Sequence, residues 1–273
     1  MPLPVTAPTS RQTVELEQLV GERTVPTLWH ENYWFRRHEA AYLALAPLIA
    51  AGQPGVVLEA GSGEGYGVRL LHLAGAERVV ALDYDAESLA HAEHTYPDDV
   101  SGRAVRTNLA ALPLADGSTS AISCLQVIEH LWTPAEFLAE SVRVLRPGGL
   151  LVVSTPNRVT FSPGLGRLEN PPNPFHFREF DAEELRDLIA QQLTVTDLLG
   201  VRHGPRLLAW QAEYGQDPIT AQLATSPDQW PAAVGDLVRS VTAADFTIGP
   251  LIRDDESVDD VLDLVVLAHR AVS

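Results

Sequence analysis

Apolar and polar positions change their period several times along the chain. Residues 56–60 (VVLEA), 78–82 (RVVAL), 104–107, 121–125 (AISCL) and the LLVVS run after Pro147-Gly148-Gly149 are short and mostly apolar, which predicts strands buried on both faces. Residues 66–73, 87–96 and about 134–145 read as helices between them. Strands alternating with helices predict a parallel sheet covered on both sides. Further on, DAEELRDLIAQQ reads as a helix capped by Asp181, with Glu184 three residues later as in a capping box. Residues 194–199 read as a strand, and 261–268 (VLDLVVLA) as the strand that closes the sheet. The expected sheet has seven strands, mostly parallel, with the last antiparallel.

The pattern breaks in three places. Residues 1–10 are rich in Pro, Thr and Ser and read as disordered, and 11–50 read as mostly helical. Residues 1–50 are therefore expected to be a tail and helical cap, and 51–273 the main domain. From 155 to 180 the periodicity stops, in a segment holding five prolines and four aromatics. A long stretch without its own pattern inside a compact domain is usually functional, and its aromatics predict an ordered lid. Residues 200–255 read as an irregular, partly helical insertion that binds the acceptor.

Composition narrows the classes. The formal net charge of −17 makes nucleic acid a poor partner. The longest apolar stretch, 40–51, contains Pro47 and is too short to span a membrane. One cysteine, Cys124, excludes an internal disulfide and suits a reducing compartment. MPLPVTAPTS has neither a basic nor an apolar signal region, so the cytoplasm is the expected location. A homodimer is the default expectation for assembly. The acid run Asp254-Asp255-Glu256 with Asp259-Asp260 lacks the EF-hand pattern and reads as a solvated loop.

The loop VLEAGSGEGYG carries glycine at 61, 63, 65 and 67. A dinucleotide fingerprint would place its third glycine at 66, which is Tyr66. Glu59 precedes the loop, and its carboxylate would repel a pyrophosphate and attract a cation. The loop E-x-G-x-G-x-G resembles motif I of the class I S-adenosylmethionine-dependent methyltransferases, which implies a Rossmann-like α/β fold and that cofactor. The resemblance assigns Glu59, Gly61 and Gly63 to the cofactor, Asp83 to its ribose hydroxyls, Asn108 and Leu109 to adenine, and Gln126 to the methionine side. From the N-terminal segment, Arg36, Arg37 and His38 are candidates to meet the cofactor carboxylate, and Trp34 and Tyr33 to cover it, with Arg37 and Trp34 taken as the cofactor residues. A helix there puts Tyr33 and Arg37 on one face and Trp34 and His38 on another, and one of these faces must pack inward.

Six further segments are similar to the methylmannose polysaccharide 1-O-methyltransferases: ENYWFRRH (31–38), QVIEHLW (126–132), STPNRVTFSPG (154–164), NPFHFREF (173–180), HGPRL (203–207) and TAADF (242–246). The resemblance covers roughly 20–268. It implies a small mannoside acceptor, 3-O-methylated, whose anomeric hydroxyl is methylated. That step blocks the reducing end of a precursor of a cytoplasmic polysaccharide that interacts with fatty acyl chains. Aromatics suited to stacking on a sugar are Trp34, Trp132, Phe161, Phe175 and Phe177. Rival readings are a small-molecule or quinone O-methyltransferase, and a nonenzymatic cofactor-binding protein.

A sugar hydroxyl needs a general base or a metal before it attacks a methyl group. Glu129 and His130 follow Gln126 by three and four residues, so a helix there would project all three from one side, and His176 comes from the lid. Methyltransferases with E-x-x-E-H, such as small-RNA and quinone O-methyltransferases, bind Mg²⁺; here Gln126 replaces the first glutamate. The open readings are a divalent metal, Mg²⁺ by that resemblance, at Glu129, His130 and His176; a metal-free base, His130 or His176 and then His203; or a structural role. Arg206, Phe175 and Asp245 are candidates, with His203, for holding the acceptor.

Overall fold

The computed structural model describes residues 23–51, 54–251 and 260–272. The expectations for residues 1–22 and for the acids 254–259 lie outside the described residues. The chain divides into two compact units. One takes the N-terminal stretch up to Ala41 with Arg202–Thr247, and the other takes Tyr42–Val201 with Ile248–Ser273. The boundaries cut through helix α1 (Asn32–Ala50) and through the strand that ends at His203.

The sheet is built from β1 (Val57–Ala60), β2 (Val79–Asp83), β3 (Ala104–Arg106), β4 (Thr119–Leu125), β5 (Leu145–Pro156), β6 (Thr194–His203), β7 (Phe246–Pro250) and β8 (Asp263–His269). Their spatial order is β3-β2-β1-β4-β5-β8-β6-β7. The first five are parallel to one another, and β8 is antiparallel to both β5 and β6. The count is eight rather than seven, because the 200–255 stretch read as irregular ends in β7. The closing strand β8 also lies inside the sheet, between β5 and β6.

Every residue of β1 and β4 is buried, as expected of parallel strands covered on both faces. The helices of this unit are α2 (Tyr66–Leu73), α3 (Ala86–Thr95), α4 (Pro97–Val100), α5 (Pro134–Val144), α6 (Arg158–Phe161) and α7 (Ala182–Ala190). Helix α5 buries Phe137, Leu138, Ser141 and Val144, a stripe at helical spacing. Asp181 and Glu184 form the expected capping box of α7. Pro147-Gly148-Gly149 is not a turn before β5; it lies inside the strand, with Gly148 at φ 75°.

Strand order reverses between β1 and β4: β2 and β3 lie to one side of β1, and β4 and β5 to the other. In sheets of this type the crevice beyond the carboxyl ends of the two central strands binds ligands. Among the described residues, no helix is long and apolar enough to cross a membrane. The smaller unit carries α8 (Pro205–Tyr214), α9 (Pro218–Leu223) and α10 (Ala232–Ser240).

Candidate functional site

The glycines after β1 have different tasks. Gly61, Gly63 and Gly65 have φ of 74°, 46° and 83°, a region that disfavours side chains. A Cβ on Gly61 would meet Val127 Cγ2 at 2.5 Å, and one on Gly65 would meet Ala92 Cβ at 2.8 Å, so both are packing glycines. A Cβ on Gly63 would meet nothing within 4 Å. Gly63 is thus the loop's open point. Gly67 leaves room for the Tyr42 hydroxyl beneath the loop, which donates a hydrogen bond to Glu59 Oε1.

The burial of Glu59 bears on its reading as a charge facing a cationic ligand. The residue is 1% exposed. Burial pushes its carboxyl up to about 8, against the opposing pull of hydrogen bonds from Tyr42 and Ser123. Burial thus favours its neutral form under the loop. At the end of β2, Asp83 Oδ2 accepts the Gly63 N–H at 2.8 Å and Oδ1 accepts the Asp85 N–H at 2.9 Å. Each oxygen retains a lone-pair site for a further donor. After β3, Asn108 Oδ1 accepts the Ala110 N–H at 2.9 Å. The Leu109 N–H has no protein acceptor among the described residues.

After β4 no α-helix forms. Gln126 takes φ 58°, the one positive-φ non-glycine among the described residues, and Ile128–His130 make a single 3-10 turn. Gln126, Glu129 and His130 therefore do not share a helix face. Gln126 turns toward β5, its Nε2 donating to Ser154 Oγ at 3.1 Å. A strained backbone at the strand-order reversal is the kind of feature that marks functional sites.

The structure does bring together Glu129, His130 and His176, each offering one ligand atom within 4.8 Å of the others. Glu129 is 1% exposed and accepts from Thr155 Oγ1 at 2.9 Å. Burial raises its carboxyl above the usual range, partly offset by the charges of His130 and His176. His130 Nδ1 donates to the Phe175 carbonyl at 3.0 Å, and His176 Nδ1 donates to Glu179 Oε1 at 2.8 Å. With both Nδ1 atoms donating, the neutral form of each ring carries its lone pair on Nε2, the arrangement found around metal-bound histidines. Burial pushes the Glu179 carboxyl up, but the hydrogen bond from His176 and the charges of His176 and Arg158 help to hold it below the carboxylate range.

The lid begins later than expected, since Thr155 and Pro156 belong to β5. Its ends lie side by side, Asn157 bridging Phe180 and the Arg158 N–H reaching the Phe180 carbonyl at 2.9 Å. The buried Arg158 guanidinium pairs with Asp181 at 2.5 Å and Glu184 at 2.8 Å. The lid also donates the Phe177 N–H to the Glu129 carbonyl at 2.9 Å. Phe175 and Phe177 are exposed, and Trp132 meets Phe177 edge to face at 4.7 Å. Residue typing alone missed Tyr42, Thr155 and Glu179. The i, i+3 spacing of His176 and Glu179 was the available signal for the last.

In the smaller unit, Tyr33 and Arg37 take the buried face of α1, while Trp34 is half-buried with Arg37 5.0 Å from its ring. His203 Nε2 and the Tyr33 hydroxyl share a 2.5 Å hydrogen bond. Burial lowers His203 to about 4, helped by the charge of Arg37 and opposed by that of Asp217. Arg206 binds both oxygens of Asp245, at 2.6 and 2.7 Å, and Asp245 Oδ2 also accepts from the Thr242 N–H and hydroxyl. These contacts build a corner of this unit and occupy the groups that the sequence offered to a substrate.

Known proteins agree with the glycine-loop side. The family described as "Methyltransferase domain" matches residues 58–153. Two Mycobacterium tuberculosis proteins (strains H37Rv and CDC 1551), each named "Probable S-adenosylmethionine-dependent methyltransferase", are 46% identical over 255 residues, covering 92% of this chain and 89% of theirs. The chain belongs to the S-adenosylmethionine-dependent methyltransferases. Solved structures are similar in fold. A geranyl diphosphate methyltransferase in complex with SAM aligns with TM-score 0.54 at 17% identity, covering 92% of this chain and 93% of that one. The [4+2]-cyclase SpnF aligns with TM-score 0.53 at 18% identity, covering 86% of this chain and 82% of that one.

The residues present fit the cofactor of this methyltransferase family. Gly63 leaves space for close approach, Asp83 has acceptor capacity for two hydroxyls, and Leu109 offers an N–H for a ring nitrogen. The family model ends at residue 153, before the lid.

Proposed function

We propose that this methyltransferase methylates a sugar hydroxyl, the anomeric hydroxyl of a short 3-O-methylated mannoside. The observation that carries the reading is the Glu129, His130 and His176 cluster with both imidazoles oriented through Nδ1. The exposed rings of Trp132, Phe175 and Phe177 stand next to these histidines in the chain and suit the C–H face of a neutral sugar. The mannoside itself rests on the six motif segments quoted above. S-adenosylmethionine supplies a sulfonium methyl group.

Gly61, Gly63, Asp83, Asn108, Leu109 and Gln126 would hold the cofactor, with Glu59 buried under the loop. Glu129, His130 and His176 would hold a divalent cation, which supplies Lewis acidity toward an acceptor oxygen. Two imidazole nitrogens and one carboxylate suit borderline ions such as Mn²⁺ or Zn²⁺ better than Mg²⁺, which prefers oxygen ligands. Thr155 holds the Glu129 carboxylate, and the Phe175 carbonyl and Glu179 hold the imidazoles. In the metal-free alternative, the lone pair on His176 Nε2 takes the acceptor proton.

The test is an acceptor panel with S-adenosylmethionine: 3-O-methylated mannobiose, unmethylated mannobiose and a reduced quinone, with the product methyl located by NMR. The reading expects a new methyl ether at the anomeric oxygen of the methylated sugar. Transfer to the quinol alone supports the small-molecule reading. Cofactor binding with no transfer in any arm supports a nonenzymatic role, and the [4+2]-cyclase shows that the fold hosts proteins not named for methyl transfer.

A further inference from the structure

An imidazole serves as a ligand or base only in the tautomer that leaves the working nitrogen unprotonated, and its other nitrogen's partner sets that tautomer. His176 meets two such constraints. Nδ1 donates to Glu179 Oε1 at 2.8 Å. Nε2 lies 3.2 Å from Asn173 Nδ2. The Asn173 amide is oriented by its own oxygen, which accepts the Phe175 N–H at 3.0 Å. Its NH₂ group therefore faces Nε2, which is the acceptor in the metal-free chain, and a cation at Nε2 would take that lone pair in place of Asn173. Both contacts specify the same tautomer.

We propose that Glu179 is a positioning residue for the metal centre, holding His176 with its proton on Nδ1 and its lone pair on Nε2. The proposal rests on the reading of Glu129, His130 and His176 as a cation site. Glu179 is 4% exposed, and the charge of Arg158 lies near it. Arg158 is clamped by Asp181 and Glu184 at the lid's end. The ion pairs that shape the lid thus reach the metal ligand through one carboxylate. His130 differs, because its Nδ1 partner is the Phe175 backbone carbonyl, which no substitution removes.

The test uses the full chain and two readouts. ¹⁵N NMR of the histidine rings reports the tautomer of His176 without metal. Binding of Mn²⁺, followed by loss of the free-ion EPR signal, reports the site, with S-adenosylmethionine affinity and circular dichroism as controls for folding. The wild type should show the Nδ1-protonated tautomer. Glu179→Ala should shift His176 toward Nε2 protonation and weaken Mn²⁺ binding by about 10–100-fold. Glu179→Gln keeps an acceptor in the same place, so it should retain the tautomer and most of the affinity, and it carries the test if the alanine variant does not fold. An unchanged tautomer in Glu179→Ala, or equal losses in both variants, overturns the positioning role. If the wild type has the expected tautomer but binds no divalent ion, the cation reading fails and Glu179 is left orienting a base.

Discussion

The glycine loop and the histidine cluster stand at the carboxyl ends of neighbouring strands, β1 and β4, yet they are made differently. The loop is built from backbone: positive φ at Gly61, Gly63 and Gly65, and N–H groups received by Asp83 and by the Leu82 carbonyl. The cluster is built from side chains of three separate stretches: Glu129 and His130 after β4, Thr155 in β5, and His176 and Glu179 in the lid. A backbone site tolerates change in the side chains around it and fails when a Cβ is added. A side-chain site fails when any one partner is removed.

The largest effect expected from this contrast is at the cluster. His176→Ala or Glu129→Ala should lower kcat/KM by about 10²–10⁴-fold, the usual worth of a positioned proton acceptor. S-adenosylmethionine affinity, measured by calorimetry, should stay within a few-fold. A matching loss of cofactor affinity would mean that the two regions are one structural unit.

At the loop, the sharpest break is Gly61→Val. The added Cβ collides with Val127 at a residue with φ 74°, so urea unfolding should show a loss of about 3 kcal/mol. An unchanged midpoint would show that the loop is not packed as described.

A histidine outside both regions provides the pH contrast. His203 has a folded-state pKa lowered from 6.5 to about 4. The unfolded chain therefore takes up the proton first as pH falls. Stability present above about pH 6.5 should be lost progressively down to about pH 4, by about 3 kcal/mol. Glu59 acts in the opposite direction, since its folded value of about 8 lies above the unfolded value of 4.5 and its penalty grows as pH rises between them. Comparing urea midpoints at pH 7 and pH 4.5 in His203→Gln and the wild type isolates the first effect. An equal drop in both proteins would remove His203 from the account.

The smallest effect separates the glycines of the loop. Gly63→Ala meets no neighbour and should cost about 1 kcal/mol of stability for its φ of 46°. It should nevertheless weaken S-adenosylmethionine binding about tenfold, or about 1.4 kcal/mol. Unchanged cofactor affinity would reduce Gly63 to a turn residue.

Local signals were legible in the sequence and distant ones were not. The strand, glycine turn and helix at 57–73 follow from neighbouring residues, as does the Asp181–Glu184 capping box. Glu129, His130 and His176 were legible as residue types, but Glu129's support by Thr155 and the pairing of His176 with Glu179 needed the lid folded back on β4. Glu59 was read as a charged group facing a ligand, whereas its burial, which favours the neutral acid, came into view only in the fold. The insertion hid β7, since a short strand at the end of a helical stretch has no period of its own to announce it. His203, Arg206 and Asp245 were typed as substrate groups; their partners Tyr33, Thr242 and each other came into view only in the fold.

The central claim is that a cation held by Glu129, His130 and His176 serves methyl transfer to a sugar hydroxyl. It is tested most directly by the rate of transfer from S-adenosylmethionine to 3-O-methylated mannobiose, using protein stripped with EDTA and then titrated with Mn²⁺, Zn²⁺ and Mg²⁺. The account predicts that stripping abolishes transfer, that a divalent ion restores it, and that His176→Ala does not respond. Transfer at full rate in the stripped protein would contradict the claim and leave an imidazole to take the proton unaided.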